Sequence, residues 1–119
     1  MRYLLMIYTD EKTEAGMSKE EQEAYMAGYS AFSRTARDRG AYLGGEALQS
    51  TGTATAVRVR NGQTVTTDGP YAETKEQLGG YYLLNCKNLD EAIELAAMIP
   101  GAKHGTVEVR PIMEFGVEV

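Results

Sequence analysis

Two short segments of this chain, residues 3–8 and 80–86, are mainly apolar at odd and even positions alike. A strand covered on one face alternates between apolar and polar residues, whereas a strand covered on both faces does not. The pattern therefore predicts two central strands, each covered on both faces. Gly79 and Gly80, at the start of the second segment, predict a bulge or the close approach of a neighbouring backbone.

Two other segments repeat apolar residues with the period of a helix. Ser18 and Glu21 match a capping box, so the first helix is predicted over residues 18–39. The second helix is predicted to begin after Asn88 and to end at Pro100. The apolar face of the first helix consists of Tyr25, Tyr29, Phe32 and Ala36.

A β-hairpin is predicted over residues 53–67, which are rich in Thr and Val. Asn61 and Gly62 supply its turn, because both central positions of a type I′ turn need positive φ. Arg58 and Arg60 are expected to project into solvent. The sequence leaves open whether this hairpin covers a pocket or extends an interface.

Two more strands complete the pattern. Residues 41–49 have the character of an extended segment, and residues 106–112 alternate, with Pro111 favouring an edge position. Residues 9–16 are polar and predict a loop. A second loop is predicted around His104, the only histidine, which we expect at the surface.

The order of the elements is strand, helix, strand, hairpin, strand, helix, strand. This order is typical of a ferredoxin-like α+β fold, a split βαβ sandwich with an inserted hairpin. We predict a single domain over residues 1–119. Because two helices can cover only one face of the sheet, we expect a second copy to cover the other. That arrangement is a homodimer with a ligand cleft bounded by sheet, loops and partner.

Composition and charge exclude several classes of function. The net charge of −5 argues against binding the phosphate backbone of nucleic acids. The single cysteine, Cys86, rules out an intrachain disulfide, and its apolar surroundings in the sequence predict a buried thiol. No segment is long and apolar enough to span a membrane, and neither a signal peptide nor metal-ligand spacing appears. We therefore predict a cytoplasmic protein without a cofactor.

Five short motifs give the chain a resemblance to a known family. They are GEAL at residues 45–48, DGPYAETKE at 68–76, LGGYY at 78–82, DEA at 90–92 and VEVRP at 107–111. With these motifs in this order, the chain resembles the DGPF group of the YCII-related superfamily. Tyr71 stands where the name-giving motif of the group has Phe, a change that keeps the ring and adds a hydroxyl group.

The resemblance implies a dimeric α/β barrel of ferredoxin-like subunits, in a bacterial protein of poorly defined function. It also implies a link to extracytoplasmic-function sigma factors, since genes of this group often lie beside them or are fused to them. Some relatives are small-molecule enzymes, among them a chloromuconolactone dehalogenase. In the wider superfamily a histidine on the first helix, paired with an acid, is proposed as catalytic. Tyr29 occupies the corresponding place here, so that mechanism does not transfer.

Asp68 is the first choice for a catalytic acid or base. Asp68 lies at a strand end near several tyrosines in the sequence. Partial burial there would raise the pKa of its carboxylate and allow it to act as an acid or a base. The alternative for Asp68 is an Asx turn to nearby backbone amides, which is common for Asp before Gly-Pro. Tyr29 and Tyr81 are candidate phenolic donors, and the alternative for both is a place in the core or in an interface.

Four further residues are candidates for substrate binding. Glu73 and Lys75 could orient a polar substrate from one face of an extended segment, or form surface ion pairs in a solvated loop. Arg110 shares one face of the last strand with Glu108. It could bind an anionic group in the dimer cleft, or form a structural ion pair across the dimer. Glu46 is open to the same two interpretations.

Three classes of function are consistent with these residues. The first is a small enzyme that carries out acid–base chemistry, such as isomerisation or elimination, on a small polar aromatic or carboxylate compound. The second is a non-catalytic ligand-binding or regulatory module that serves an extracytoplasmic-function sigma factor. The third is a structural interaction domain. An enclosed pocket would favour the first two classes over the third.

Overall fold

A four-stranded antiparallel sheet organises the structure, a computed structural model that describes residues 1–116. In chain order the strands are β1 (Arg2–Thr9), β2 (Tyr42–Ala47), β3 (Thr55–Arg60), β4 (Gln63–Asp68), β5 (Gln77–Asn85) and β6 (Thr106–Pro111). The main sheet has the order β2-β5-β1-β6, and β3 pairs with β4 in a separate two-stranded sheet. This order confirms the predicted ferredoxin-like α+β fold, with β1 and β5 in the centre and β6 at an edge.

Within residues 1–116 the chain forms four α-helices, α1 (Glu11–Ala15), α2 (Lys19–Asp38), α3 (Leu89–Ala97) and α4 (Gly101–His104), and one 3₁₀ turn at Thr51–Thr53. Helices α2 and α3 confirm the two that periodicity predicted. The capping box of α2 is complete, since Ser18 and Glu21 each accept a hydrogen bond from the backbone of the other. Helices α1 and α4 correct the prediction, which had loops in both places. One turn of helix is too short to show an apolar period.

The helices cover one face of the sheet, and the core lies between the two layers. Strand β1 turns Tyr3, Leu5 and Ile7 toward the helices, where they meet Leu84 of β5 and Phe32 of α2. Leu5, Leu84 and Phe32 are fully buried. Burying a side chain of this size contributes about 1.5–3 kcal/mol, so these contacts hold α2 against the sheet.

The free thiol of Cys86 belongs to the same core, as the sequence predicted. The residue is 3% exposed. Burial raises the pKa of the Cys86 thiol, and the negative charge of Glu91 raises it further. Because a thiol of raised pKa carries little thiolate at neutral pH, Cys86 serves as a small apolar side chain in the core.

The opposite face of the main sheet has no helix over it within residues 1–116. Leu4 and Met6 of β1 pair there with Leu83 and Tyr81 of β5, and all four residues are half-buried. We call the surface formed by Leu4, Met6, Tyr81 and Leu83 the open face. The sequence predicted cover on both faces of β1 and β5, and one chain by itself supplies helices on one face.

Strands β3 and β4 form a hairpin that is separate from the main sheet and has the predicted turn. Asn61 has a φ of 52° and Gly62 a φ of 75°, as a type I′ turn requires. Every residue of the two strands except Ala56 is exposed, including Arg58 and Arg60 as predicted. Among residues 1–116, the two strands form ladder pairs with each other alone.

The chain has the shape of a thin plate with extents of 48 × 46 × 17 Å. Its radius of gyration is 16.3 Å. A compact domain of this length would have a radius of gyration of about 13.5 Å. The plate is one layer of sheet and one layer of helices, with the hairpin projecting from it. In the part of the chain described, no helix is long and apolar enough to cross a membrane.

Candidate functional site

A cavity of about 490 Å³ lies between α2 and the sheet, on the face that the helices cover. Its wall includes residues from α1, α2 and three strands: Ile7, Glu11, Glu14, Tyr25, Met26, Tyr29, Ser33, Tyr42, Gly45 and Tyr82. The cavity therefore lies within one chain, whereas the sequence predicted a cleft between two copies.

The sheet side of the cavity is aromatic. The ring of Tyr82 packs on Phe32 with centroids 4.6 Å apart, and Tyr42 lies 6.1 Å from Tyr82. Tyr82 also lies against the backbone of Gly45, where a Cβ atom would collide with its ring. Burial raises the pKa of the Tyr82 phenol, so it stays protonated at neutral pH. The absence of a side chain at Gly45 therefore allows the Tyr82 ring to pack in this position.

Tyr25 and Tyr29 lie one turn apart on α2, and their hydroxyl oxygens are 3.3 Å apart. Their rings meet edge to face, with centroids 5.1 Å apart and an angle of 85°. Burial raises the pKa of both phenols, and the negative charge of Glu14 raises both further. For Tyr29, hydrogen bonds from Tyr25 and the backbone of Gly101 act in the opposite direction. Both phenols therefore stay protonated at neutral pH, and each keeps a proton that it can donate in a hydrogen bond.

Glu14 of α1 brings a carboxylate to this pair of tyrosines. Its Oε1 accepts a hydrogen bond of 2.6 Å from the hydroxyl of Thr9. Thr9, the last residue of β1, is 3% exposed, so its hydroxyl needs an acceptor inside the protein. We call Thr9, Glu14, Tyr25 and Tyr29 the polar cluster. It brings one proton acceptor and two phenolic donors to one end of the cavity.

Contacts of its first turn hold the short helix α1 at the cavity. The side chain of Asp10 caps the helix. The N–H of Glu11 donates to Oε1 of Gln77 on β5 at 3.0 Å, and Oε1 of Glu11 accepts from the N–H of Thr51 at 3.0 Å. These bonds tie α1 to the sheet and to the turn before β3, and so they fix the position of Glu14.

Comparison with known proteins identifies the family. The YCII-related domain family matches residues 1–116. This chain belongs to that family. An uncharacterised protein of Rhizobium meliloti (strain 1021) is 40% identical to this YCII-related chain over 114 residues, 94% of this chain and 92% of the other. The resemblance is thus confirmed at the level of the family, and membership of the DGPF group stays a prediction.

Of the site residues predicted for this YCII-related chain, Tyr29 has its side chain in the cavity, within the polar cluster. Glu46 and Tyr81 also border the cavity, but they pair with each other, and Tyr81 pairs with Met6 of the open face. Their side chains therefore lie on the open face, opposite to Tyr82, whose ring packs against Phe32.

The other predicted site residues lie away from the polar cluster. Asp68 is the exposed last residue of β4, outside the lining of the cavity. Glu73 is exposed in the segment between β4 and β5, and Lys75 borders a separate depression beside α1. Arg110 forms an ion pair with Glu108 on the same strand. The structure therefore does not bring these four predicted residues together, and the roles given to them stay predictions.

Sequence analysis missed Glu14 and gave Tyr25 no chemical role. Glu14 falls in the segment that was predicted as a loop. A signal for α1 was present, because Asp10 precedes a first turn that contains acidic residues, as is common at a helix start. The spacing of Tyr25 and Tyr29 at i and i+4 also indicated that their side chains would meet.

Proposed function

We propose that this YCII-related chain is a cytoplasmic protein that binds a small organic molecule between α2 and the sheet and transfers a proton on it without a cofactor. The observation that carries the proposal is the polar cluster at one end of a cavity that is otherwise mainly aromatic and apolar. A volume of about 490 Å³ is within the range of small-molecule sites. A few converging polar groups on an apolar wall are also typical of such sites.

Glu14 is the proposed proton acceptor. Its carboxylate takes a proton from one atom of the bound molecule and returns it to a second atom, which is an isomerisation. Tyr25 and Tyr29 stay protonated, because burial raises the pKa of both, and they donate hydrogen bonds to negative charge that develops on the ligand. The proton count balances, since Glu14 begins and ends ionised and both tyrosines keep their protons.

A screen of metabolites by thermal shift, followed by turnover assays on each hit, tests the proposal. Glu14→Gln keeps an acceptor for the Thr9 hydroxyl but removes the base. We therefore expect turnover at saturating ligand to fall by about 10²–10⁴-fold. Asp68→Asn is the matched control, since Asp68 is an exposed carboxylate outside the cavity, and it should leave turnover unchanged.

The alternative results have distinct meanings. Loss of turnover in Asp68→Asn, with full activity in Glu14→Gln, would assign the catalytic role to Asp68, as the sequence first suggested. Binding without turnover in the unmodified protein would favour the second hypothesis, a regulatory module linked to an extracytoplasmic-function sigma factor. A screen in which no compound raises the melting temperature would contradict the proposal itself.

We also propose that two copies form a homodimer through the open face. Leu4, Met6, Tyr81 and Leu83 are neighbours on this face and only half-buried in one chain. The plate-like shape supports the proposal, because a second sheet packed on this face would give both central strands the cover that their sequence predicts. Light scattering should give twice the 13.0 kDa mass of one chain, and a single-chain mass at micromolar concentration would contradict the dimer.

A further inference from the structure

The charged side chains that line the α1 end of the cavity are acidic, while Lys12 and Lys75 border the neighbouring depression that also includes Glu11. Glu11 and Glu14 both line the cavity, and they lie on one side of α1 because they are three residues apart. Among residues 1–116, no Lys, Arg or His belongs to the lining. The guanidinium of Arg37 stacks on the ring of Tyr42, 4.2 Å from its centre. Along α2, Arg37 lies eight residues from Tyr29 and twelve from Tyr25, a rise of about 12 and about 18 Å, so it is stacked on Tyr42 at a distance from Glu14 and Glu11.

Two aromatic rings, those of Tyr25 and Tyr29, lie at the same end of the cavity. Tyr25 and Tyr29 meet edge to face, and the ring of His104 lies on another side of Tyr25, with ring centres 5.9 Å apart. The face of an aromatic ring attracts a cation that lies within about 6 Å of its centre. Met26 is 64% exposed and adds a polarisable apolar contact beside the two tyrosines. Carboxylates and ring faces together suit an organic cation.

Two other ligand classes fit this end less well. A metal ion needs several ligands at one point, and no group of three or more His, Cys, Asp or Glu side chains within residues 1–116 could hold one. An anion would meet the carboxylates of Glu11 and Glu14 with no basic side chain of the described lining to offset them. A protonated amine satisfies the same carboxylates with short, charge-assisted hydrogen bonds.

We infer that the ligand of this cavity is an organic ammonium ion with an aromatic or apolar body, an inference that rests on the proposed function. Its nitrogen lies against Glu14 and Glu11 and beside the ring of Tyr25. Its body extends along α2 toward the aromatic wall formed by Tyr82 and Tyr42. Glu14 can hold the ammonium group whether or not it also accepts a proton, so the inference concerns recognition alone.

A matched series of three probes tests this inference by titration calorimetry near neutral pH. The probes are 2-phenylethylamine, 2-phenylethanol and 3-phenylpropanoate, which share a phenyl ring and a short chain but carry a positive, a neutral and a negative end. We expect the amine to bind at least about tenfold more tightly than the alcohol, and the carboxylate to bind more weakly than both. Added salt should weaken the amine alone.

Three isosteric variants locate the charge that recognises the amine. Glu14→Gln and Glu11→Gln keep acceptors for the Thr9 hydroxyl and the Thr51 amide. Each should reduce the preference for the amine over the alcohol and leave the affinity for the alcohol unchanged. Glu23→Gln removes an exposed carboxylate of α2 outside the lining of the cavity and should change nothing. If circular dichroism shows that Glu14→Gln does not fold, Glu11→Gln alone tests the inference.

Equal affinity for amine and alcohol, or a preference that survives in both cavity variants, would overturn the inference and leave small-molecule binding intact. Failure of all three probes to bind would overturn it as well. The proposed function would then fall only if the broader thermal-shift screen also found no ligand. The two conclusions are therefore tested separately.

Discussion

The hydroxyl of Thr9 shows how a single residue connects the central strand to the polar cluster. The alternation of β1 brings Tyr3, Leu5 and Ile7 into the core, and the same alternation brings Thr9 to the helix-covered face. A buried hydroxyl without a partner costs about 1–3 kcal/mol. Glu14 removes that cost by accepting the hydrogen bond at 2.6 Å. The carboxylate of the cluster is thus fixed by the strand as well as by its own helix.

Because the pKa of Tyr25 is raised, the protein should lose stability as the pH rises into the alkaline range. An unfolded tyrosine ionises near pH 10, whereas burial moves the ionisation of folded Tyr25 to higher pH. The unfolded state therefore loses this proton first, and the free energy of unfolding falls as pH rises above about 10. Below that pH the contribution is fully present. We expect a shallower fall in Tyr25→Phe, measured by urea denaturation from about pH 8 to about pH 11.

Tyr71→Phe is the control for this pH dependence, because Tyr71 is 85% exposed and its phenol lies in solvent. It should follow the unmodified protein across the whole pH range. The neighbours of Tyr25 stay in place in both variants, namely Tyr29, Glu14 and the ring of His104, whose centre is 5.9 Å from that of Tyr25. Identical slopes for Tyr25→Phe and Tyr71→Phe would show that burial of Tyr25 does not raise its pKa.

At the scale of elements, the long helices and the central strands could be predicted and the short helices could not. Helices α2 and α3 span several turns, so their apolar faces repeat often enough to show a period. Strands β1 and β5 revealed their central position by apolar residues at both parities. Helices α1 and α4 have five and four residues. Asp10 caps α1, a signal that also occurs at ordinary turns, and no side chain caps α4.

The candidate site could be predicted only in part, for a related reason. Tyr29 was named as a possible phenolic donor, and the helix that periodicity predicted does carry it into the cavity. Glu14 was missed because its contact with Thr9 requires α1 to turn back toward the sheet, which no local pattern specifies. Asp68 was favoured because it ends a strand before a turn, but β4 belongs to the hairpin and not to the main sheet.

Helix α4 docks on β1 through a glycine, which gives a test at this scale. A Cβ atom at Gly101 would lie 2.7 Å from Cγ2 of Ile7 and 3.0 Å from the hydroxyl of Tyr29. We expect Gly101→Ala to lower the free energy of unfolding by about 1–3 kcal/mol, even though Ala favours helix. In Gly52→Ala the nearest atom, Oγ of Ser50, is 3.8 Å away. Urea denaturation should therefore separate the two variants, and equal stabilities would refute the tight docking.

At the scale of the whole molecule, the hairpin and the open face are two surfaces of the described chain on which apolar side chains are left without a covering layer. Val57 and Val59 share one face of the hairpin and are 62% and 61% exposed, while Arg58 and Arg60 share the other face. A two-stranded hairpin is only marginally stable by itself in water. A second copy that reached both surfaces would cover the valines, so we expect the hairpin to extend the proposed dimer interface.

Met6→Glu tests that assembly, because Met6 lies on the open face between Tyr81 of β5 and Glu108 of β6. A partner chain would bury the new carboxylate close to the like charge of Glu108, so we expect the dimer dissociation constant to rise at least about 100-fold. Light scattering at micromolar concentration should then give the mass of one chain, with a circular dichroism spectrum like that of the unmodified protein.

Val59→Glu on the hairpin should weaken the dimer less. Ile93→Glu, at a position 51% exposed on α3, is the control and should keep the full mass. A folded Met6→Glu protein that keeps the mass of two chains would mean that the dimer forms through a different surface.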